Sequence, residues 1–249
     1  MNELPVDSLQ SVGLTELNSH ASLLTRKDRK YLVPLAVARR LVEENDLHVL
    51  EIDGRRTFRY ESVYFDTADR VSYLAAAHRR RRRFKVRTRS YVDSATCLLE
   101  VKTRERRGLT IKHRIPYEFE ARRSLTGEAR DFIAGFDAIA PFIDDLRPSL
   151  TTRYRRTTLL ETGSASRITV DTDLECLAPD GSSVTLPTMA VVVLPHPEGP
   201  MKLVTRCRMM DRLTFCRARV SPYQRLKSLT RSWAAARGIS SDSTSVTAS

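Results

Sequence analysis

Charged residues recur two positions apart at six places in this chain: Asp28/Lys30, Arg87/Arg89, Glu100/Lys102, Lys112/Arg114, Arg153/Arg155 and Arg167/Thr169/Asp171. A spacing of two is the period of one face of a β-strand, so each set stands on one side of its strand. Guanidinium and ammonium groups gathered in this way bind anions. Arginine offers phosphate a planar fork and lysine a compact point charge. The fullest row lies in Arg79–Tyr91 (RRRRRFKVRTRSY). There Arg81, Arg83, Lys85, Arg87 and Arg89 share one parity, while Phe84, Val86, Thr88 and Ser90 share the other. The expectation is five cations on one face of a sheet. Such a face is tolerable only where water or an anion neutralises it.

The elements that would carry these rows follow in order. Thr25–Val33 reads as a strand. Pro34 opens a helix with Leu35, Ala38, Leu41 and Val42 at helical spacing, ending near Asp46. Phe58–Asp66 is aromatic and β-branched, a strand, and the basic strand follows it. Thr96–Lys102, a turn at Arg107–Gly108, and Leu109–Ile115 read as a hairpin. Leu125–Ile139 has helical periodicity. Leu150–Leu160 and Arg167–Asp171 are strands, Gly181 marks a turn, and Met189–Leu194 closes the series. Residues 201–213 and 223–236 read as helices. The apolar partners of the charged rows (Leu99 and Val101, Ile111, Ile168 and Val170) place the other face under the helices. About eight strands with three or four helices give an antiparallel α+β fold, with a closed barrel as one arrangement. Residues 1–24 read as a poorly ordered leader or one short helix, 25–236 as one domain, and the Ser/Thr-rich 237–249 as a disordered tail.

The bulk numbers agree with an anion binder. The chain has 249 residues, a formal net charge of +12 and a sequence pI near 10.0. Only seven of its 42 basic residues are lysine. An arginine-rich codon usage accounts for part of that skew. Cys97, Cys176, Cys207 and Cys216 show no CxxC spacing, and five scattered histidines build no zinc site, so free thiols in a reducing compartment are expected. No secretory signal is visible, and the longest apolar stretch, Met189–Leu194, is too short to span a bilayer. The expected compartment is the cytoplasm. There is no P-loop, Gly-x-Gly-x-x-Gly or Gly-x-Ser-x-Gly, which excludes those phosphate cradles and nucleophile elbows. The run Arg79–Arg83 alone suggests nucleic acid, but the cations alternate with Glu and Asp on strands, and no RNP-like aromatic pair accompanies them.

Taken together, the motifs resemble a known family. Lys30-Tyr31, Tyr64-Phe65-Asp66-Thr67, Lys85-x-Arg87-x-Arg89-x-Tyr91, Glu100-x-Lys102, Lys112-x-Arg114, Tyr154-x-Arg156-Thr157 and Arg167-x-Thr169-x-Asp171 occur in the order found in the VTC domain. That is the catalytic domain of polyphosphate polymerases in the triphosphate tunnel metalloenzyme superfamily. The resemblance spans about Thr25 to Val193, with a short piece near 219–226. It implies an eight-stranded antiparallel tunnel in which ATP or another triphosphate binds. The terminal phosphoryl group passes to a polyphosphate chain in the presence of divalent Mn²⁺ or Mg²⁺. By position, Lys30, Arg87, Arg89 and Lys102 would be catalytic. Lys85, Lys112, Arg114, Arg153, Arg156, Arg167 and Arg219 would bind phosphate. Glu100 and Asp171 would be the remaining metal carboxylates, with both alternatively partners of neighbouring Arg and Lys side chains, the reading favoured for Asp171.

Two places depart from the pattern. The family's late strand carries Glu-x-Lys, where this chain reads Leu194-Pro195-His196, and its Ser-Lys-Tyr reads Ser221-Pro222-Tyr223. A lone His196 between prolines reads as a loop residue, and Glu198 as a weak substitute for the missing carboxylate. Two functions stay open: a polyphosphate polymerase or triphosphatase, and a non-catalytic protein that binds polyphosphate or triphosphate. No specific nucleic acid is expected as a partner, and a membrane-protein partner is left unspecified.

Overall fold

The alternation of charged and apolar residues becomes one sheet with two unlike faces. The structure, a computed structural model, describes residues 3–20, 27–104, 110–163 and 166–196. Its strands are β1 (Gln10–Val12), β2 (Lys27–Pro34), β3 (Leu47–Leu50), β4 (Phe58–Asp66), β5 (Phe84–Tyr91), β6 (Thr96–Arg104), β7 (Thr110–Tyr117), β8 (Arg147–Glu161), β9 (Ser166–Leu177), β10 (Ser183–Leu186) and β11 (Met189–His196). The helices are α1 (Leu14–His20), α2 (Leu35–Glu43), α3 (Val71–Ala77) and α4 (Gly127–Ala134). Eight strands follow one another in the order β2–β11–β9–β8–β4–β5–β6–β7, every neighbour antiparallel. The α+β class and the eight-strand path match the expectation. Closure does not: among the described residues β2 and β7 are not paired with each other, so the sheet is open rather than a sealed barrel.

Parity settles which face each residue takes. On β5, Phe84, Val86, Thr88 and Ser90 are buried while Lys85, Arg87, Arg89 and Tyr91 stand half-exposed on the other side. The buried face packs under helices in two separate patches. Val33, Leu159, Ile168, Val170, Val192 and Leu194 meet Leu35, Ala38, Leu41 and Val42 of α2. Val63, Phe65, Phe84, Val86, Leu99 and Val101 meet Ala129 and Ile133 of α4. Each fully buried aliphatic side chain contributes about 1.5–3 kcal/mol. Apolar packing is therefore on the outside of the curved sheet, and its concave side is left to polar groups.

Local chemistry fixes the ends of the helices. Pro34 precedes α2 with φ −55° and ψ 141°, and the Leu35 amide donates to Thr188 O at 2.8 Å, tying the helix start to β11. Thr126 caps α4, its hydroxyl accepting from the Ala129 amide at 3.3 Å. The helix stops at Gly135, shorter than the 125–139 expected. Asp66 of the Tyr-Phe-Asp-Thr motif accepts from the amides of Thr67, Ser72 and Tyr73 at 2.8–2.9 Å, which anchors α3 to the end of β4.

Two expectations are corrected. The five-cation row is shorter, because α3 and a turn at Arg79 (φ 54°) precede a strand that begins only at Phe84. Lys85, Arg87 and Arg89 form the row, and Arg79–Arg82 are exposed charge ahead of it. Residues 3–20, expected within a loose leader, carry β1 and α1. β1 pairs in parallel with β3, and Val12 and Leu17 bury themselves against Leu50 and Leu160. Arg56 clasps this segment, donating to Glu51 Oε2 at 2.7 Å and to the carbonyls of Val6, Asp7 and Leu9. The expected turn at 107–108, the helices over 201–213 and 223–236, and the tail lie outside the described residues.

Candidate functional site

The concave face collects its polar residues by register. Tyr64 of β4 pairs with Arg87 of β5, Arg87 with Glu100 of β6, and Glu100 with Arg114 of β7. One step along, Lys85 pairs with Lys102 and Lys102 with Lys112. These side chains therefore share one face. At the far edge of the sheet, Lys30 of β2 pairs with Val193 of β11, which pairs with Thr169 of β9. Lys30, Tyr64, Lys85, Arg87, Glu100 and Lys102 line one cavity of about 230 Å³, with Arg83, Arg104 and Thr110 also on its wall. Residues from β2 and from the β6–β7 hairpin meet there, so the sheet curls until its two edges face each other.

Glu100 is the pivot of this cavity. It is almost wholly buried, and its carboxylate holds both Arg87 and Lys112. Arg87 Nε donates to Glu100 Oε2 at 2.7 Å, and its Nη1 donates to the Tyr64 hydroxyl at 3.1 Å. Burial opposes the carboxylate's charge, but Arg87, Arg89 and Lys112 outweigh it and hold the group down at about 2. Burial also opposes the charge on Arg87, where Tyr64 and Glu100 win and raise its pKa. On Lys102 the attraction of Glu100 is outweighed. Burial first, then Arg87 and Lys30, pushes its ammonium down to about 8. On the same face, Arg89 Nε and its cross-strand neighbour Ser62 Oγ are buried with no hydrogen-bond partner among the described residues.

A second group lies farther along the face. Arg156 forks onto Asp171, with Nε–Oδ1 at 2.6 Å and Nη2–Oδ2 at 2.8 Å. Its guanidinium lies over the rings of Tyr60 and Tyr154, at 5.1 and 5.3 Å from their centroids. The two rings are themselves stacked at 5.3 Å. Arg167 sits where α1 closes one end of the face, with Nη2 donating to Asn18 Oδ1 at 2.7 Å. Lys112 and Arg114 are exposed on β7.

Arg153 is a correction. It pairs with Glu61 in the β4–β8 register and stands on the outer face, not with Arg87. There its Nε donates to Glu61 Oε2 at 2.8 Å, and Glu61 also takes Arg122 and Arg123. Through Arg122 and Arg123, Glu61 holds the 119–126 connection on the back of the sheet. Arg219 lies outside the described residues. The residues that the charge pattern missed are Tyr60, Ser62 and Tyr64, which alternate on β4 in phase with Arg87 and Arg89. That two-residue spacing of hydroxyls was the available signal.

The family model of the VTC domain matches residues 25–211. The chain belongs to the VTC domain family. No curated protein matches its sequence. Among solved structures, an adenylyl cyclase candidate from Hippeastrum described as having a dominant triphosphatase activity is similar, at 14% identity and TM-score 0.42, over 88% of this chain and 93% of that one. An adenylate cyclase candidate from Vibrio parahaemolyticus is similar at 10% identity and TM-score 0.42, over 81% and 98%. The protein PH1012 of Pyrococcus horikoshii gives 10% identity and TM-score 0.40, over 80% and 93%.

The described carboxylates on the concave face stand in ion pairs rather than in a cluster. Among the described residues no group of three His, Cys, Asp or Glu side chains comes together. Glu100 and Asp171 are both committed to cations. Where the family places Glu-x-Lys, register puts Leu194 on the outer face, 2% exposed in the core beneath α2. The concave positions of β11 are Val191, beside Asp171, and Val193, beside Thr169 and Lys30. Both are aliphatic. No helix among the described residues is long and apolar enough to cross a membrane.

Proposed function

We propose that this VTC domain binds ATP or another triphosphate, or the end of a polyphosphate chain, on its concave face, and passes a terminal phosphoryl group to polyphosphate. One observation carries the reading: Lys30, Lys85, Arg87 and Lys102 converge from opposite edges of the sheet on one cavity. Phosphoryl transfer asks a protein mainly for in-line positioning and for neutralisation of the phosphoryl oxygens. Arg87 suits the first task, since Glu100 and Tyr64 fix its guanidinium on the cavity wall. Lys102 suits the second, because burial and the neighbouring cations outweigh the attraction of Glu100 for its charge. Lys30, reaching from the other edge, contacts the phosphates from the opposite side.

A second reading rests on β11. With Val191 and Val193 on the concave face, and Glu100 and Asp171 already paired, the domain binds polyanions without turning them over. Purified protein incubated with ATP and Mn²⁺ separates the two. Acid-labile polymer, lost in Arg87→Ala, supports the transferase; tight, salt-sensitive tripolyphosphate binding without polymer or phosphate release supports the binding protein. Absence of any tripolyphosphate binding removes both.

A further inference from the structure

The outer face of the sheet carries a cavity of its own, of about 460 Å³, over the seam between β4 and β8 and walled on one side by residues 3–7. Arg59 and Arg155 line it as direct cross-strand partners. They share the parity of Glu61 and Arg153, so both stand on the side of the sheet away from Arg87. Like charges placed directly opposite one another destabilise a sheet. Here each is drawn to a carboxylate on its own side. In the strand order β9–β8–β4–β5, Arg59 turns toward β5, where Asp93 in the following turn accepts its Nε at 2.9 Å and its backbone amide at 2.6 Å. Arg155 turns toward β9, its Nε 4.0 Å from Asp173 Oδ2, while its Nη1 lies 3.7 Å from Glu3 Oε1.

The two arginines are held unequally. Asp93 is 13% exposed and also takes Arg55 at 3.0 Å; burial opposes its charge, yet Arg59 and Arg55 keep its carboxyl below the usual range. The contacts of Arg155 are too long for hydrogen bonds. Two residues along the seam, Thr57 and Thr157 bring their hydroxyls to 3.1 Å on the same cavity wall. One donates to the other, and the second keeps its proton for a ligand. We propose that this cavity is a second anion site, which takes a single phosphate group, as orthophosphate or a small phosphomonoester, between Arg59 and Arg155. Two guanidinium forks on neighbouring strands and a hydroxyl present donors in more than one plane, which suits a tetrahedral oxyanion better than a planar carboxylate. The volume lies within the small-molecule range of about 300–1,000 Å³, which leaves room for the organic part of an ester beside Leu4 and Val6. The rim limits the charge. Glu3, Asp7 and Asp173 stand around the arginines and repel a chain of several phosphates, whereas one phosphate is balanced. The site stands whether or not the concave face binds triphosphate.

Amide-resolved NMR titration of the full chain with orthophosphate, acetate and tripolyphosphate tests the assignment. Orthophosphate is expected to move the amides of Thr57, Arg59 and Thr157 saturably, and acetate to leave them in place. Arg155→Ala is expected to weaken orthophosphate by about tenfold at these amides, with the remaining spectrum reporting that the domain is folded. Glu3→Gln removes a rim carboxylate and is expected to tighten orthophosphate. No saturable shift at the three amides, an equal shift in Arg155→Ala, or the same response to acetate overturns the site. A stronger response there to tripolyphosphate than to orthophosphate overturns it too, whereas shifts on β5 and β6 bear on the concave face alone.

Discussion

Val193 and Lys30 are directly paired between β11 and β2, and both face the charged side of the sheet. Leu194, one residue on, faces the opposite way into the core beneath α2. This register decides where a carboxylate can be restored. Leu194→Glu buries an unpaired charge among Val33, Ala38 and Val192, and is expected to destabilise the domain by about 3–5 kcal/mol. Val193→Glu places the carboxylate next to Lys30 and is expected to cost less than about 2 kcal/mol. Urea denaturation of the two variants gives the comparison. Equal destabilisation would show that the strand is out of the stated register.

Lys102 gives the site a pH dependence. Its ammonium titrates at about 8 in the folded chain, against about 10.5 for an ordinary lysine. Between these values the unfolded chain binds the extra proton, so this group makes stability rise with pH across that window. Below pH 8 its unfavourable charge is fully present. Bound phosphate reverses the sign by favouring the ammonium. Tripolyphosphate binding at about pH 8.5 is therefore expected to take up protons, seen as a buffer-dependent heat. Lys102→Met is expected to remove that uptake.

Glu100 acts at the other end of the scale. Its folded value of about 2 lies below the ordinary 4.5. Its stabilisation is complete above about 4.5 and is lost as pH falls toward 2. Thermal unfolding followed between those values is expected to show a smaller acid loss in Glu100→Gln than in wild type. The same variant is expected to be less stable at neutral pH, since Arg87 loses its buried counter-charge.

The clasp at Arg56 predicts a local effect. Arg56→Ala removes the donor that three carbonyls of residues 6–9 share with Glu51. The expected outcome is faster amide exchange over residues 3–12, with β5 and β6 unchanged, at a cost of about 1–3 kcal/mol. Faster exchange spread evenly over the sheet would instead mean that the segment folds as one unit with the rest.

Much of the concave face was legible because β5, β6, β7 and β9 each put all their charge on a single parity. β8 defeated that rule. Arg153, Arg155 and Arg156 occupy both parities there, and only the pairing with Glu61 and Phe58 of β4 tells which cation turns inward. The N-terminal segment was illegible for another reason. Leu4, Val6, Val12 and Leu17 show no period of their own, and their burial comes from Leu50, Leu160 and neighbours far along the chain. Arg81 and Arg83 looked like part of the strand because they share the parity of Lys85, Arg87 and Arg89. The left-handed turn at Arg79 is set by the end of α3 and not by those side chains. The missing carboxylate was read at Leu194, whereas the concave gap is at Val193, since motif spacing alone does not state which residue faces inward.

An open sheet also has two rims, and an unpaired strand is a template on which a second copy of the chain can grow. β7 carries Lys112, Arg114 and Pro116 along that rim, and β2 carries Arg29, Lys30 and Pro34. Proline withholds a donor and like charges repel an incoming strand. The cations on these two rims thus disfavour stacking edge to edge, and neutralising them is expected to be felt first as self-association.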